Sequence, residues 1–265
     1  MINNNMRNTI LFFVLFSFMS NVHSQIKKQI KKGRRYESES QFALSKADFQ
    51  AEWEFGTEKI NAQTTTNIYP NLVLHYALSD RLEVNTEMSL IQTIDQSAAI
   101  TQKSLGIEPI LIGANYQLLR DTYNSPSLII SAQLAMPFTA TQEFTIDYMA
   151  PFVQLHLQQA VHKKWLMGVS SGLQWDGFSS LPSFTYNAST SYTIRNKWMI
   201  TGECFGFLNN EQPQHNIDVS MAYVINNLVQ FGITAGKGIS PASPVSYIAV
   251  NGSWGINTAR KTHRH

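Results

Sequence analysis

The chain has 265 residues, of which 43% are hydrophobic and only 14% charged, a size that suits one large domain or two small ones. Its 20 lysines and arginines nearly balance 18 acids, so net charge gives no support to nucleic-acid binding. A single cysteine, Cys204, excludes an internal disulfide and a multi-cysteine zinc site, and 11% aromatic residues argue against a disordered chain.

Residues 1–24 have the order of segments found in a secretory signal peptide. A polar start containing Arg7 precedes the apolar run Ile10–Met19, and small residues lead to Ser24. A membrane-spanning helix needs roughly 20 apolar residues, about twice the length of this run. We therefore interpret the segment as a signal peptide cleaved before Gln25 and not as a membrane anchor.

Positive charge is concentrated near the two ends of the chain. Six lysines and arginines lie between Lys27 and Arg35, and three more lie in the tail 258–265. Apart from these and Arg7, ten basic residues remain against all 18 acids, so the body of the chain is acidic. We expect residues 25–47 to form a basic extension and 258–265 a basic tail. Both are either solvated or in contact with anionic lipid headgroups or a partner.

Strict alternation of apolar and polar residues from about Phe49 onward predicts β-strands. The segment Leu82–Leu90 places leucine, valine and methionine on one face, and glutamate, asparagine and serine on the other. Most of the predicted strands reach or exceed the about 9–11 residues of a tilted membrane-spanning strand. Twelve strands are predicted: 48–59, 65–78, 82–93, 105–119, 127–138, 147–161, 165–176, 183–194, 198–208, 215–225, 228–238 and 245–256.

Tight and longer connections alternate between these strands, which is typical of an up-and-down meander. In transmembrane barrels the tight turns face the periplasm and the longer loops face outward. We therefore predict an all-β fold, a single up-and-down antiparallel transmembrane β-barrel of about twelve strands spanning residues 48–257. An even number of strands places both termini on the periplasmic side of a Gram-negative outer membrane. Aromatic residues near the strand ends predict two interfacial bands: Trp165, Tyr192, Trp198, Tyr76 and Tyr223 near tight turns, and Tyr148, Trp175, Phe184 and Tyr247 near longer loops.

A soluble barrel with its apolar face inside is the alternative. A closed barrel of twelve strands is wider than the about eight strands whose interior side chains can fill, so an apolar interior would leave voids. The polar faces are rich in serine, threonine, asparagine and glutamine, whereas soluble surfaces carry more charge. Beyond Gln25 no stretch approaches a transmembrane helix, so a membrane location requires a closed barrel. These observations favour polar faces turned inward.

The hairpin Tyr69–Val84 contains Pro70, an alternating strand that ends Tyr-Ala-Leu-Ser-Asp-Arg-Leu-Glu, and an immediate return strand. It resembles outer-membrane proteins of the family named for the MetA-pathway of phenol degradation, and Ile112–Leu118 and Leu134–Pro137 fit the same family. The resemblance implies a barrel that takes up small solutes, hydrophobic or aromatic compounds among them.

The chain departs from that family at two places. Pro137-Phe138-Thr139 stands where the family tends to have Pro-Thr-Gly, and a basic tail follows the last strand in place of a terminal aromatic residue. The terminal aromatic is the usual signal for assembly. We nevertheless expect the barrel-assembly machinery as a partner, together with outer-membrane lipid and an unidentified small solute.

Nine polar side chains become candidates for lining the lumen once the apolar faces are assigned to lipid. A cation on the lipid face would cost about 2–4 kcal/mol at mid-depth, whereas charges inside an aqueous barrel stay solvated. The acidic members would favour passage of cations. The nine candidates are His75, Glu83, Asn85, Glu87, Gln154, His156, Gln174, Glu203 and Asp218.

Two functions remain open for such a barrel. The first is a passive channel or transporter for small solutes, since residues 25–47 are too few for a folded plug domain. The second is a non-conducting barrel, filled by its own hydrogen-bonded side chains, that acts as a scaffold or surface-binding protein. We expect no catalysis, cofactor or metal, because neither a Gly-x-Ser-x-Gly elbow nor a His-Glu-x-x-His motif occurs.

Overall fold

A computed structural model describes residues 48–97, 100–120, 126–162, 164–195, 197–209, 212–226 and 229–256. The predicted signal peptide, the basic extension and the basic tail lie outside the described residues. Within the described ranges, no helix combines the length and the apolar character needed to cross a bilayer.

The described chain is built almost entirely from β-strands, with two short 3-10 turns after the sixth. The long alternating segments form strands because successive side chains point to opposite faces of a sheet. The strands are β1 (Phe49–Lys59), β2 (Thr64–Ala77), β3 (Leu82–Asp95), β4 (Gln102–Ile107), β5 (Ile110–Leu119), β6 (Ser127–Met136), β7 (Ala150–His162), β8 (Trp165–Gln174), β9 (Ser183–Ile194), β10 (Trp198–Leu208), β11 (Gln214–Asn226), β12 (Val229–Gly238) and β13 (Ser246–Ile256).

The sheet closes on itself through its first and last strands. β1 runs antiparallel to β13 from the pair Phe49 and Ile256 to the pair Lys59 and Ser246. β4 and β5 pair with successive parts of the same edge of β3, so together they occupy one strand position in the wall. The result is a closed antiparallel barrel of twelve strand positions, which confirms the predicted fold. Both described ends of the barrel lie at its tight-turn rim.

The predicted strand 105–119 is wrong as one continuous strand. Pairing begins earlier, at Gln102, and is interrupted at Glu108 and Pro109. Proline has no N–H to donate to a ladder. The backbone N–H of Glu108 still donates to the carbonyl of Ser89 at 3.0 Å, which keeps the two halves of this strand position aligned.

Exposure alternates along the strands and shows which face points outward. In β7, Val153 and Leu155 are 41% and 46% exposed, whereas Gln154 between them is 2% exposed. Large exposed apolar side chains of this kind occur on the outer surface of every strand position except that of β6, and most buried strand side chains are polar. The barrel therefore presents apolar side chains to its surroundings and encloses polar ones, which is the arrangement of a membrane barrel.

Aromatic side chains cluster near the tight-turn rim. The rings of Trp165 and Tyr192 pack edge-on at 6.4 Å, and those of Trp198 and Tyr223 lie 4.7 Å apart. The predicted band at the other rim is wrong at Tyr247, which is buried and points into the barrel. The reason is the alternation of side chains along β13. Tyr247 lies on the same inward face as the buried Ala249, whereas Ile248 and Val250 face outward.

Candidate functional site in the barrel lumen

The inner faces of β1, β2 and β3 carry a hydrogen-bonded acidic cluster. The Nδ1–H of His75 donates to Oε1 of Glu83 at 2.7 Å, and Nε2 of His75 lies 4.0 Å from Oε2 of Glu52. Asn115 on β5 donates a second hydrogen bond to Oε1 of Glu83 at 3.0 Å. The carboxylate of Glu83 is therefore held between two neighbouring strands, and charge-assisted hydrogen bonds of this kind are the stronger ones.

Further along the same wall, Asn85 accepts a hydrogen bond from Nε2 of Gln133 at 3.2 Å. Glu87 is buried two residues beyond Asn85 on the same face of β3. The next inward residue, Ser89, donates to Asn71 on β2 at 2.9 Å. The inner face of β3 is thus polar from Glu83 to Ser89, and the buried Ile91 follows it.

A second acidic pair faces the lumen from β10 and β11. Glu203 and Asp218 stand directly opposite each other in the ladder and are both buried. The hydroxyl of Tyr247 donates to Oδ2 of Asp218 at 2.8 Å. Gly236 is on β12, between the strands of Asp218 and Tyr247. A Cβ there would lie 2.2 Å from the ring of Tyr247, so only glycine allows the ring to approach this closely.

The remaining predicted residues lie on the inner faces of β7 and β8. Gln154 donates to Ser170 at 3.1 Å, and the side chains of His156 and Ser131 share a hydrogen bond of 3.0 Å. Gln174 is half-buried and stands on the inward face of β8. The structure thus places all nine predicted side chains on the inner face of the barrel, spread over three stretches of wall and not gathered in one cluster.

β1 carries an acidic stripe that was not among the predicted lumen residues. Glu52, Glu54 and Glu58 occupy its inward face, and the last two are buried. The alternation that identified β3 also runs through Glu-Trp-Glu-Phe-Gly-Thr-Glu and could have found them. Eight carboxylates among the described residues are less than a tenth exposed: Asp48, Glu54, Glu58, Glu83, Glu87, Glu108, Glu203 and Asp218.

Lysine and arginine side chains are distributed in the opposite way to the buried carboxylates. The eight lysines and arginines in the described part of the chain are all exposed: Lys59, Arg81, Lys103, Arg120, Lys164, Arg195, Lys197 and Lys237. Most of them lie at or near strand ends. The described inner wall consequently carries negative charge without basic side chains, and such a surface attracts cations.

An apolar patch covers the inner wall at the loop-side ends of β5, β6 and β7. It consists of Leu111, Ala135, Ile146 and Ala150, with Trp175 and Phe178 packed against them. Ile146 belongs to the long connection 137–149, whose backbone is tied to the neighbouring loop. The N–H groups of Asp147 and Tyr148 donate to the carbonyl of Gly177 at 3.1 and 2.9 Å.

Gly177 is required by this arrangement. Its φ is +77°, a conformation that glycine adopts without strain, and a Cβ there would lie 2.8 Å from Cβ of Ile146. The same connection also bonds to the barrel wall, because the N–H of Thr141 donates to the carbonyl of Ile107 at 3.0 Å. Loop residues thereby add hydrophobic side chains to an inner surface that is mostly polar.

Solved structures with similar folds are outer-membrane proteins. The COG4313 outer membrane channel from Pseudomonas putida F1 matches with a TM-score of 0.66 and 13% identity, over 82% of this chain and 98% of that one. The KdgM porin in complex with disordered oligogalacturonate matches with a TM-score of 0.56 and 9% identity, over 78% and 99% of the two chains. The transport unit of the autotransporter AIDA-I from Escherichia coli matches with a TM-score of 0.50 and 8% identity, over 85% and 94%.

These likenesses show the fold of an outer-membrane β-barrel. None of the curated protein sequences compared with the chain matches it. The family model described as "Putative MetA-pathway of phenol degradation" matches residues 32–253, which is most of the chain. The chain therefore belongs to this family of outer-membrane β-barrel proteins.

Proposed function

We propose that this protein is a passive channel for small solutes in the outer membrane, with a lumen that favours cations. The observation that carries the proposal is the charge distribution, with eight buried carboxylates and exposed lysines and arginines among the described residues. Carboxylates that line a pore raise the local concentration of cations and lower that of anions. The function is passage and not catalysis.

The apolar patch supports hydrophobic or aromatic compounds as one class of solute. Its Leu111 pairs with Glu87 of β3, so a solute that crosses the lumen would meet apolar and acidic wall at the same level. The description of the family, which refers to phenol degradation, supports the same class of solute. Passive diffusion suits a site that combines weak apolar contacts with solvated polar groups, because tight binding would slow release.

The orientation follows from the rule for transmembrane barrels. With short turns in the periplasm and longer loops outside, both ends of the barrel face the periplasm. A signal peptide at 1–24 would direct export, the barrel-assembly machinery would insert the chain, and the basic segments 25–47 and 258–265 would lie on the periplasmic side.

Single-channel recording on the folded protein in planar bilayers tests the function. Under a potassium chloride gradient we expect a reversal potential on the cation-selective side. Replacing the buried carboxylates by Glu87→Gln, Glu203→Gln and Asp218→Asn should move that potential toward zero. The matched control is Glu143→Gln, which removes an exposed carboxylate from the 137–149 loop and should leave selectivity unchanged.

A non-conducting barrel is the second candidate, and the density of the interior favours it. Thr201, Thr234 and Asn216 are almost completely buried on the inner face, and Ser191 and Thr201 share a hydrogen bond of 2.9 Å. A lumen filled in this way could serve as a scaffold whose long loops bind partners. Absence of conductance above background, from protein shown to be folded, would favour this candidate over the channel.

A further inference from the structure

We propose that Glu203, Asp218 and Asn216 form a binding site for Ca²⁺ on the inner face of β10 and β11. No sequence motif indicates this site, because its donors come together only when the two strands pair. Binding of the ion does not require conduction, so the site stands apart from the proposed function.

Two carboxylates of the site belong to residues that stand directly opposite each other. Glu203 on β10 pairs with Asp218 on β11, and both residues are less than a tenth exposed. Like charges directly opposite each other in a sheet are destabilising. Burial strengthens the repulsion, because the interior screens charge less than water does. Such a pair needs a counterion or must share a proton.

The described residues beside the pair supply no positive charge. Ser189 faces Glu203 from β9, and Gly236 faces Asp218 from β12. Lys237, next to Gly236, is exposed on the outward face of β12. A divalent cation between the two carboxylates would balance both charges at once.

Asn216 is a buried side chain that lacks a ligand for its oxygen. It is 2% exposed, and its Oδ1 has no hydrogen-bond partner among the described residues. It precedes Asp218 by two positions on the inward face of β11, so the two side chains leave the backbone on the same side, about 7 Å apart. A buried acceptor without a partner is unfavourable. A cation held by the neighbouring carboxylates would satisfy it.

The chemistry of the donors identifies the ion. Within the described part of the chain, no group of three or more histidine, cysteine, aspartate or glutamate side chains is placed to hold a metal, so the amide oxygen of Asn216 is needed as the third ligand. An all-oxygen set suits a hard cation and not zinc or copper. Ca²⁺ binds such oxygens at about 2.3–2.6 Å and accepts an irregular arrangement, whereas Mg²⁺ requires a near-ideal octahedron. With only two carboxylates, we expect a dissociation constant of about 0.1–1 mM.

Terbium luminescence tests the site on the folded mature chain, in zwitterionic detergent free of lipopolysaccharide. Tb³⁺ occupies Ca²⁺ sites and emits light when a nearby aromatic ring transfers energy to it. The hydroxyl of Tyr247 lies 2.8 Å from Oδ2 of Asp218, so its ring is placed to sensitise the ion. We expect emission that added Ca²⁺ abolishes. Tyr247→Phe should lose most of the emission, whereas Tyr148→Phe, at an exposed loop position, should keep it.

Calorimetric titration of Ca²⁺ tests each ligand. The dissociation constant should rise at least tenfold in Glu203→Gln and in Asp218→Asn. It should stay at the parental value in Glu143→Gln, which removes an exposed carboxylate from the 137–149 loop. Asn216→Asp should lower it about tenfold, because a charged oxygen ligand replaces a neutral one. A residue that only fills the wall would give no tighter binding on this change.

The opposite results are equally specific. Parent protein that binds neither Ca²⁺ nor Tb³⁺ overturns the proposal and leaves the two carboxylates to share a proton. Equal affinity in the parent and in Asp218→Asn also overturns it, because the ion then lies elsewhere. If the carboxylate variants do not fold, unchanged affinity in Asn216→Asp together with full emission in Tyr247→Phe has the same consequence.

Conductance is a separate outcome. If the barrel binds Ca²⁺ at these residues but does not conduct, the proposed channel function fails while the site stands. If the barrel conducts but binds no Ca²⁺, the site fails while the channel stands.

Discussion

The acidic wall and the apolar patch occupy the same inner surface, yet they are built in different ways. The acidic wall comes from alternate residues of long strands, and its side chains bond to neighbouring strands, as Glu83 does to His75 and Asn115. The patch depends on Ile146, a residue of a connection that folds back over the ends of β5, β6 and β7. One region is fixed by the barrel ladder, whereas the other depends on how a loop docks.

This difference predicts different responses to substitution. A change in the acidic wall should alter hydrogen bonding and charge without moving the backbone, because the ladder holds each strand in register. A change in the patch should release the loop while leaving the barrel intact, since loops open at lower free energy than the elements they connect.

Ile146→Asp should have the largest effect. It places a carboxylate in the apolar patch, and loss of the buried isoleucine alone costs about 2–5 kcal/mol. We expect the 137–149 loop to detach, so that chymotrypsin cleaves near Phe144 at least about tenfold faster while the barrel remains folded. The exposed Gln142→Asp is the matched control and should not change the cleavage rate. Equal protection of Ile146→Asp and the parent would show that the patch does not hold the loop.

Glu83→Leu should weaken the acidic wall by a smaller amount. The substitution removes the acceptor of two hydrogen bonds and leaves His75 and Asn115 with lost partners, at about 2–3 kcal/mol. Urea unfolding in lipid vesicles, followed by tryptophan fluorescence, should show the loss. Glu143→Leu, at an exposed position, serves as the control. Chymotrypsin cleavage of the loop should stay at the parental rate, and an increase there would mean that the two regions are coupled.

Alternation explains what the sequence predicted and what it did not. Period-2 patterns placed Glu203 and Asp218 on the inner face, because closure of the barrel turns one whole face of each strand inward. The strand break at Pro109 went unpredicted, since the surrounding residues still alternate. The patch could not be predicted either, because a connection has no period and the contact between Ile146 and Gly177 depends on how two loops meet.

Gly177→Ala should affect the patch by about 1–3 kcal/mol. Alanine is strained at a φ of +77°, and its Cβ would lie 2.8 Å from Cβ of Ile146. We expect faster chymotrypsin cleavage of the 137–149 loop than in the parent, but slower cleavage than in Ile146→Asp. Gly202→Ala is the control, because a Cβ at that glycine meets no atom within 4 Å. If the two alanine variants behave alike, the backbone at Gly177 is not what holds the loop.

Tyr247→Phe should give the smallest change and tests an aromatic residue that was expected at the loop-side rim and lies in the lumen. It removes the hydroxyl that donates to Oδ2 of Asp218 and keeps the ring, so the free energy of unfolding should fall by about 1 kcal/mol. Tyr148→Phe, whose side chain is exposed, should have no measurable effect. In a conducting barrel, the Asp218 carboxylate would also become more available to cations, and selectivity for them should rise slightly. A fall in selectivity would mean that the hydroxyl of Tyr247 orients the Asp218 carboxylate toward the path of the ions. Its role would then not be limited to weakening the attraction of that carboxylate for cations.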